Sequence, residues 1–239
     1  MVTAMVLAAG AAPAAAQAPR EPKIWTVTAS VGLAMTGGNT ETSTFNAGYE
    51  IKFDPQTRNV VRSDGLFLRG KTDGELSASR FGFNVRDEFR ANHRVFVFGQ
   101  HQYLRDRFKE IDYLLAPTGG VGVRILDADP TRLSVDAGVG GVWEKNTGLG
   151  VRSSGAVTLG QKFSHAVSDA VTVTQSFSGL WKTKDFDDAL YVFGAGLAAS
   201  ITARTQVKIE WLDTYKARPP GPDVKKNDVS LILAFVYKQ

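Results

Sequence analysis

From Ile24 onward the chain alternates apolar and polar residues with a period of two, and the apolar members fall on odd-numbered positions in one segment after another. The first segment sets Trp25, Val27, Ala29, Val31, Leu33 and Met35 against Thr26, Thr28, Ser30 and Gly32. The second sets Phe45, Ala47, Tyr49, Ile51 and Phe53 against Thr44, Asn46, Glu50 and Lys52. Later, Leu133, Val135, Ala137 and Val139 oppose Arg132, Ser134 and Asp136, and the last segment offers Val229, Leu231, Leu233, Phe235 and Tyr237. The pattern predicts strands over 24–36, 42–53, 58–70, 76–90, 94–105, 113–125, 132–144, 151–163, 169–183, 189–200, 204–216 and 227–238. Each reaches the roughly 9 to 11 residues that a tilted strand needs to cross a bilayer. Two segments break the rule. Segment 58–70 mixes Arg62 and Asp64 with Val60 and Leu66, and segment 94–105 puts Phe96 and Phe98 on the even face, which predicts a β-bulge or a boundary one residue off.

The connections alternate in character. Asp54-Pro55-Gln56, Ala91-Asn92-His93, Asp127 to Pro130 and His165 to Asp169 are turn-forming and join even-ranked strands to the next odd one, as periplasmic turns should. The others run over Gly37 to Glu41, Arg107 to Asp112, Lys184 to Asp188 and Ala217 to Lys226, and are expected outside. A soluble sandwich alternates too, so the aromatics decide the solvent. On the odd face Trp25, Phe53, Phe89, Phe163 and Tyr237 fall at periplasmic strand ends, while Tyr103, Tyr113, Trp143, Trp181, Tyr191 and Tyr215 fall at the opposite ends. Two aromatic belts flanking an aliphatic band are what headgroup interfaces select. The expected fold is therefore all-β: a closed antiparallel transmembrane β-barrel of about 12 strands, since an open edge in hydrocarbon would strand its backbone amides. On this reading Arg at Val173 costs a few kcal/mol, as at a bilayer midplane, and Gln175 is a polar exception on the lipid face.

The N-terminus differs from the rest. Met5 to Gly10 and the alanine run through Ala14-Ala15-Ala16 read as the apolar region and small-residue cleavage site of an export signal, with no Lys or Arg before it. The expected organisation is a cleavable signal peptide over 1–16, a short tail over 17–23 and an outer-membrane barrel over 24–239. The 239 residues contain no cysteine, which excludes disulfides and thiolate metal sites. A net charge of +4 is spread singly along the chain, so no nucleic-acid partner is expected. Outer-membrane lipids, lipopolysaccharide and the barrel-assembly machinery are the expected partners, and no cofactor is expected.

If even positions face a lumen, function lies there. The candidate lumen charges are Lys52, Arg62, Arg86, Arg124, Arg132, Arg152 and Lys208, against Glu50, Asp136 and Glu210, with Arg80, Arg94, Lys162, Lys182, Asp64, Glu88 and Glu144 on the same face. Their positive excess would favour anions along a water path, whereas an interlocked ion-pair network would plug a narrow barrel. The acidic loop residues Asp106, Glu110, Asp112, Asp185, Asp187, Asp188, Asp223 and Asp228 could hold Ca²⁺ or Mg²⁺ but match no EF-hand, and a solvated surface is the better reading. Of His93, His101 and His165, His101 alone invites comparison with lipid-acting barrel enzymes. No Ser follows it on its strand and no Gly-x-Ser-x-Gly elbow exists, so no catalytic role is expected.

The run Thr36-Gly37-Gly38-Asn39-Thr40-Glu41-Thr42, the block from Phe98-Gly99 through Tyr103-Leu104-Arg105-Asp106-Arg107-Phe108 to Gly119-Gly120-Val121-Gly122, and the closing Trp211-Leu212-Asp213-Thr214-Tyr215 with Lys226-Asn227-Asp228 carry a resemblance. Over residues 24 to 239 the chain resembles the salt-induced outer-membrane protein family, a domain of unknown function. The resemblance implies an outer-membrane barrel with no established activity. The chain departs from the usual aromatic finish, ending Tyr237-Lys238-Gln239. A structural or envelope-stress role leads, a narrow anion-preferring channel is second, and a lipid-acting enzyme is third.

Overall fold

A computed structural model describes residues 24–36, 42–221 and 224–238. The expected signal peptide and tail, the Gly37 to Glu41 connection, Asp223 and the chain end at Gln239 lie outside the described residues. Twelve antiparallel strands close into one barrel in sequence order. They are β1 (Trp25–Thr36), β2 (Thr42–Phe53), β3 (Asn59–Thr72), β4 (Glu75–Arg90), β5 (Val95–Asp106), β6 (Ile111–Ala128), β7 (Thr131–Asn146), β8 (Arg152–Ala166), β9 (Val171–Lys182), β10 (Asp185–Ser200), β11 (Thr205–Lys216) and β12 (Asn227–Lys238). Closure is made by β1 on β12, with Val31 opposite Phe235 and Ala29 opposite Tyr237. The seam leaves no sheet edge, which is the requirement hydrocarbon imposes.

Register preserves parity almost everywhere, so one periodicity sets both faces of the sheet. Odd residues face odd ones, as in Phe45–Arg69, Val139–Val157 and Ile209–Leu233. These odd side chains point outward, and Leu231 is 70% and Val139 66% exposed. Large aliphatics so bare around a closed sheet fit lipid as the outer solvent. The belts form as well: Trp25 packs on Phe53 with ring centroids 4.5 Å apart, and Tyr191 touches both Trp181 and Tyr215 at 5.5 and 6.0 Å. Gln175 sits opposite Phe163, at the belt of the short-turn end, where a polar group on the outer face costs little. Val173 is two residues closer to that end, opposite His165 near the close of β8. It is therefore not a midplane residue, and the expected cost of Arg there is reduced; Val139, in the middle of β7, takes that place.

The expected irregularities exist, but at strand ends and not at the residues that suggested them. In segment 94–105 the strand lies one residue later, over Val95–Asp106, and its register on β6 shifts between Leu104 and Asp106; on β4 the register runs unbroken from Phe96 to Asp106, so Phe96 and Phe98 truly point inward. The wall opposite is cut to receive them. Gly122 faces Phe96, and a Cβ on it would fall 2.2 Å from the Phe96 ring; one on Gly120 would fall 2.1 Å from the Ala137 carbonyl. In the 58–70 segment pairing with β4 is regular until a shift at Gly70/Lys71, at the long-loop end. The loop expected at Lys184 to Asp188 is mostly strand: β10 begins at Asp185, and the register shift between Asp185 and Ala189 absorbs the extra residues.

Candidate functional site

Even positions line the lumen, but their chemistry divides the barrel along its axis. At the long-loop end apolar residues gather on the inward face. Leu104, Leu114, Ala116, Val142, Ala156, Leu180 and Leu190 pack with Ile111 as one buried cluster, and Leu68, Ile232 and Ala234 form a second with Leu66 and Leu212 against it. Burying apolar surface against itself inside the barrel removes the water that a pore would need.

Charges set among these clusters tie opposite walls together. The two oxygens of Glu144 on β7 take the ammonium groups of Lys182 on β9 and Lys216 on β11, and Lys182 also reaches Asp188 at 2.6 Å. Glu144 and Lys216 are each 2% exposed. Arg80 on β4 donates to the Thr214 hydroxyl on β11. Lys109, in the short turn between β5 and β6, is fully buried; its Nζ donates to the carbonyls of Lys225 and Lys226 at 3.0 and 2.7 Å and pairs with Asp228 at 3.2 Å. Strands β6 and β12 lie six apart either way round the ring, so this contact spans the mouth of the barrel. Arg218 of the 217–226 connection adds a second tie to Asp185 and to Asp187, the latter at 2.8 Å.

Of the acidic loop residues, Asp112, Asp185, Asp187, Asp188 and Asp228 are taken up in ion pairs, and Asp106 accepts the backbone N–H of Lys109 at 3.2 Å. Asp112 accepts from Thr147 at 2.9 Å and lies 3.7 Å from Lys145, and among the described residues no cluster of three or more acids and histidines could hold a metal ion. His101 points outward between Val85 and Pro117.

The short-turn end is open and basic. A chamber of about 940 Å³ is lined by Lys52, Arg58, Arg62, Arg90, Arg124 and Arg132, with Thr57, Asn92, His93 and Asp127. Lys52, Arg62 and Arg86 stand side by side on β2, β3 and β4. Arg86 is neutralised by Glu88 and, across the lumen, by Asp136, both at 3.0 Å, and its guanidinium lies 3.7 Å over the Phe98 ring. Arg124 lies 3.5 Å from Glu88, and its guanidinium sits over Phe96 at 5.1 Å. The inward phenylalanines are thus seats for two lumen arginines. Arg132 leans out to Asp129 at 2.6 Å. Among the described residues Arg58 and Arg62 have no ion-pair partner, nor does Arg152, which is exposed beyond the long-loop end of the lumen.

Asp54, in the turn after β2, anchors two of the chamber's cations. It is 4% exposed, takes Lys52 at 2.9 Å and Arg90 at 2.7 Å, and Arg90 also donates to the Thr57 carbonyl at 3.3 Å. Burial alone would raise its pKa; the hydrogen bonds and charges of Lys52 and Arg90 outweigh it and bring the carboxyl from 3.8 to about 2. The folded state therefore binds this proton less readily than the unfolded chain. The resulting stability, on the order of 1–2 kcal/mol after allowing for the half-exposed partners, is present above pH 3.8 and lost as pH falls through about 2. Urea unfolding at pH 7 and pH 2 is expected to show a gap between wild type and Asp54→Asn at the higher pH only.

The remaining candidates lie elsewhere. Glu50 faces Asp64 across β2 and β3, and Lys208 pairs with Glu210 at 2.9 Å; all four line a separate cavity of about 460 Å³. The lumen is thus not uniformly cationic: positive charge gathers in one chamber and carboxylates in another. Sequence reasoning missed Asp54, Arg58, Arg90, Lys109 and Lys216. Parity within the predicted segments 76–90 and 204–216 already points their last residues, Arg90 and Lys216, inward; Lys109 and Arg58 sit in turns, where periodicity has no voice.

The chain matches the family described as Protein of unknown function, DUF481, over residues 29–238, and belongs to it. No curated protein matches the sequence. Among solved structures the NanC porin is similar, with a TM-score of 0.51 at 8% identity, covering 90% of this chain and 99% of that one. An outer membrane channel from Pseudomonas putida F1 is similar with a TM-score of 0.50 at 11% identity, covering 90% of this chain and 95% of that one. At such identities the likeness is one of fold, and the fold is that of an outer-membrane β-barrel.

Proposed function

We propose that the chain is a sealed structural barrel of the bacterial outer membrane, inserted by the assembly machinery among lipids and lipopolysaccharide, with its short turns in the periplasm. The observation that carries this reading is the packing of the exterior half of the lumen, where two apolar clusters and the Glu144–Lys182–Lys216 group stand in the path a pore would use, below a cavity of about 570 Å³ at the mouth lined by Leu68, Arg80, Glu110 and Asp228. The reading assigns the barrel no catalysis. An envelope-stress setting is taken from the family resemblance, and a deletion strain growing like its parent in high salt would remove it.

A second reading, a narrow anion-preferring channel closed in this form, is favoured by the basic chamber behind the seal. Planar bilayers separate the two. Wild-type protein is expected to give no unitary current, while Ile111→Gly with Leu114→Gly, which hollows the larger cluster, is expected to conduct. Steps from wild type with anion selectivity would replace the first reading by the second.

A further inference from the structure

The basic chamber has features that sealing does not need. A plugged wall is stabilised by matched pairs, as at Glu144. Here six cationic side chains line one cavity, while among the described residues the carboxylates paired with them are Asp54, Glu88, Asp127 and Asp129, and Glu88 is shared with Arg86. Arg62 stands between Lys52 and Arg86 on the inner face and, among the described residues, makes no ion pair; its nearest acid along β3 is Asp64, which faces Glu50 and the separate cavity. Like charges in adjacent register are destabilising unless something neutralises them.

The chamber is also held in shape. The backbone N–H of Arg90 donates to the carbonyl of Arg58 at 2.7 Å, and that of Arg124 to Arg94 at 2.7 Å, so the turns continue the strand ladders. Asp54 fixes Lys52 and Arg90, and the Phe96 ring supports Arg124. Arg58 and Arg62 are left with their forks of donors uncommitted.

We infer that this chamber binds a soluble organic phosphate carrying two or more negative charges. Guanidinium forks match phosphate oxygens in bidentate geometry, and several of them around one space suit a ligand with more than one phosphoryl group. The volume of about 940 Å³ exceeds what a lone phosphate fills and lies at the upper end of small-ligand sites. Thr57, Asn92 and His93 at the rim offer hydrogen bonds and little apolar surface, so the organic part is hydrophilic, such as a sugar. The inference is independent of conduction, since a sealed barrel and a closed channel would present the same chamber to the periplasm.

Isothermal titration of the full barrel in detergent with fructose 1,6-bisphosphate tests it, with fructose and inorganic phosphate as comparisons. One site per chain is expected, weakened at least tenfold in Arg62→Ser and further in Arg58→Ser with Arg62→Ser. Arg204→Ser, in another short turn outside the chamber, is expected to bind as wild type does. Inorganic phosphate is expected to bind at least tenfold more weakly, and fructose not at all. Absence of binding, or equal affinity in wild type and Arg62→Ser with both variants folded by heat-modified gel mobility, would overturn the inference. Equal affinity for inorganic phosphate would overturn the organic ligand. Displacement by short-chain phosphatidic acid would overturn the soluble source in favour of a lipid headgroup.

Discussion

Replacing Val139 by Arg is expected to lower the free energy of unfolding from lipid vesicles by about 2–4 kcal/mol, the range for a cation at the midplane of a barrel's lipid face. Val139 lies mid-strand in β7, between Gly119 of β6 and Val157 of β8, and is 66% exposed on the outer surface. Hydrocarbon is the only neighbour left for a guanidinium there, since the sheet on either side has its backbone bonds made. Val173→Arg should cost clearly less, because Val173 lies near the short-turn belt and the side chain can reach the headgroups. Urea titrations followed by tryptophan fluorescence measure both. Equal costs would mean that depth does not govern the outer face, and no cost at Val139 would mean that the odd residues do not face lipid.

That odd face was legible because two different solvents impose opposite demands on alternate residues of every strand. Parity therefore carried the strand count, the closure of β1 on β12 and the aromatic belts, and it placed ten lumen candidates on the even face. It failed where the lumen itself is apolar. Phe96 and Phe98 looked like a slipped register, yet they are the packing beneath Arg86 and Arg124, accepted by Gly120 and Gly122 across the sheet. Leu104, Leu114, Val142 and Leu180 are likewise even and apolar, because they pack against one another inside the long-loop half of the lumen and behave there as a core. A list of charges could suggest a plug but not which charges meet: Glu144 faces Arg152 in register, yet it bonds Lys182 and Lys216, two and four strands away. Such pairings depend on barrel curvature and side-chain reach, which a one-dimensional pattern does not encode.

The charge group at Glu144 should be the most sensitive point of the seal. Glu144→Ala is expected to destabilise the barrel by about 3–5 kcal/mol, the cost of leaving a buried ion without its counter-charge. The two lysines are not equally exposed to the loss. Lys182 keeps Asp188 at 2.6 Å, whereas among the described residues Lys216 pairs with Glu144 alone and is 2% exposed, so Lys216 becomes the stranded charge. Its surroundings offer no replacement: Leu190 stands opposite it on β10, and Leu114 stands opposite Glu144 on β6. Those same leucines suggest the rescue. Glu144→Leu combined with Lys216→Met puts apolar side chains of similar length into an apolar cluster and removes both ions together. Exchanging a buried pair for packed hydrophobes is often neutral or favourable, so the double variant is expected to recover most of the loss. Urea unfolding of wild type, the single variant and the double variant gives the three values needed. A single variant within about 1 kcal/mol of wild type would indicate that Lys216 finds water or another anion on losing Glu144, and the exterior half of the lumen would then be wet, with the sealed reading lost alongside it.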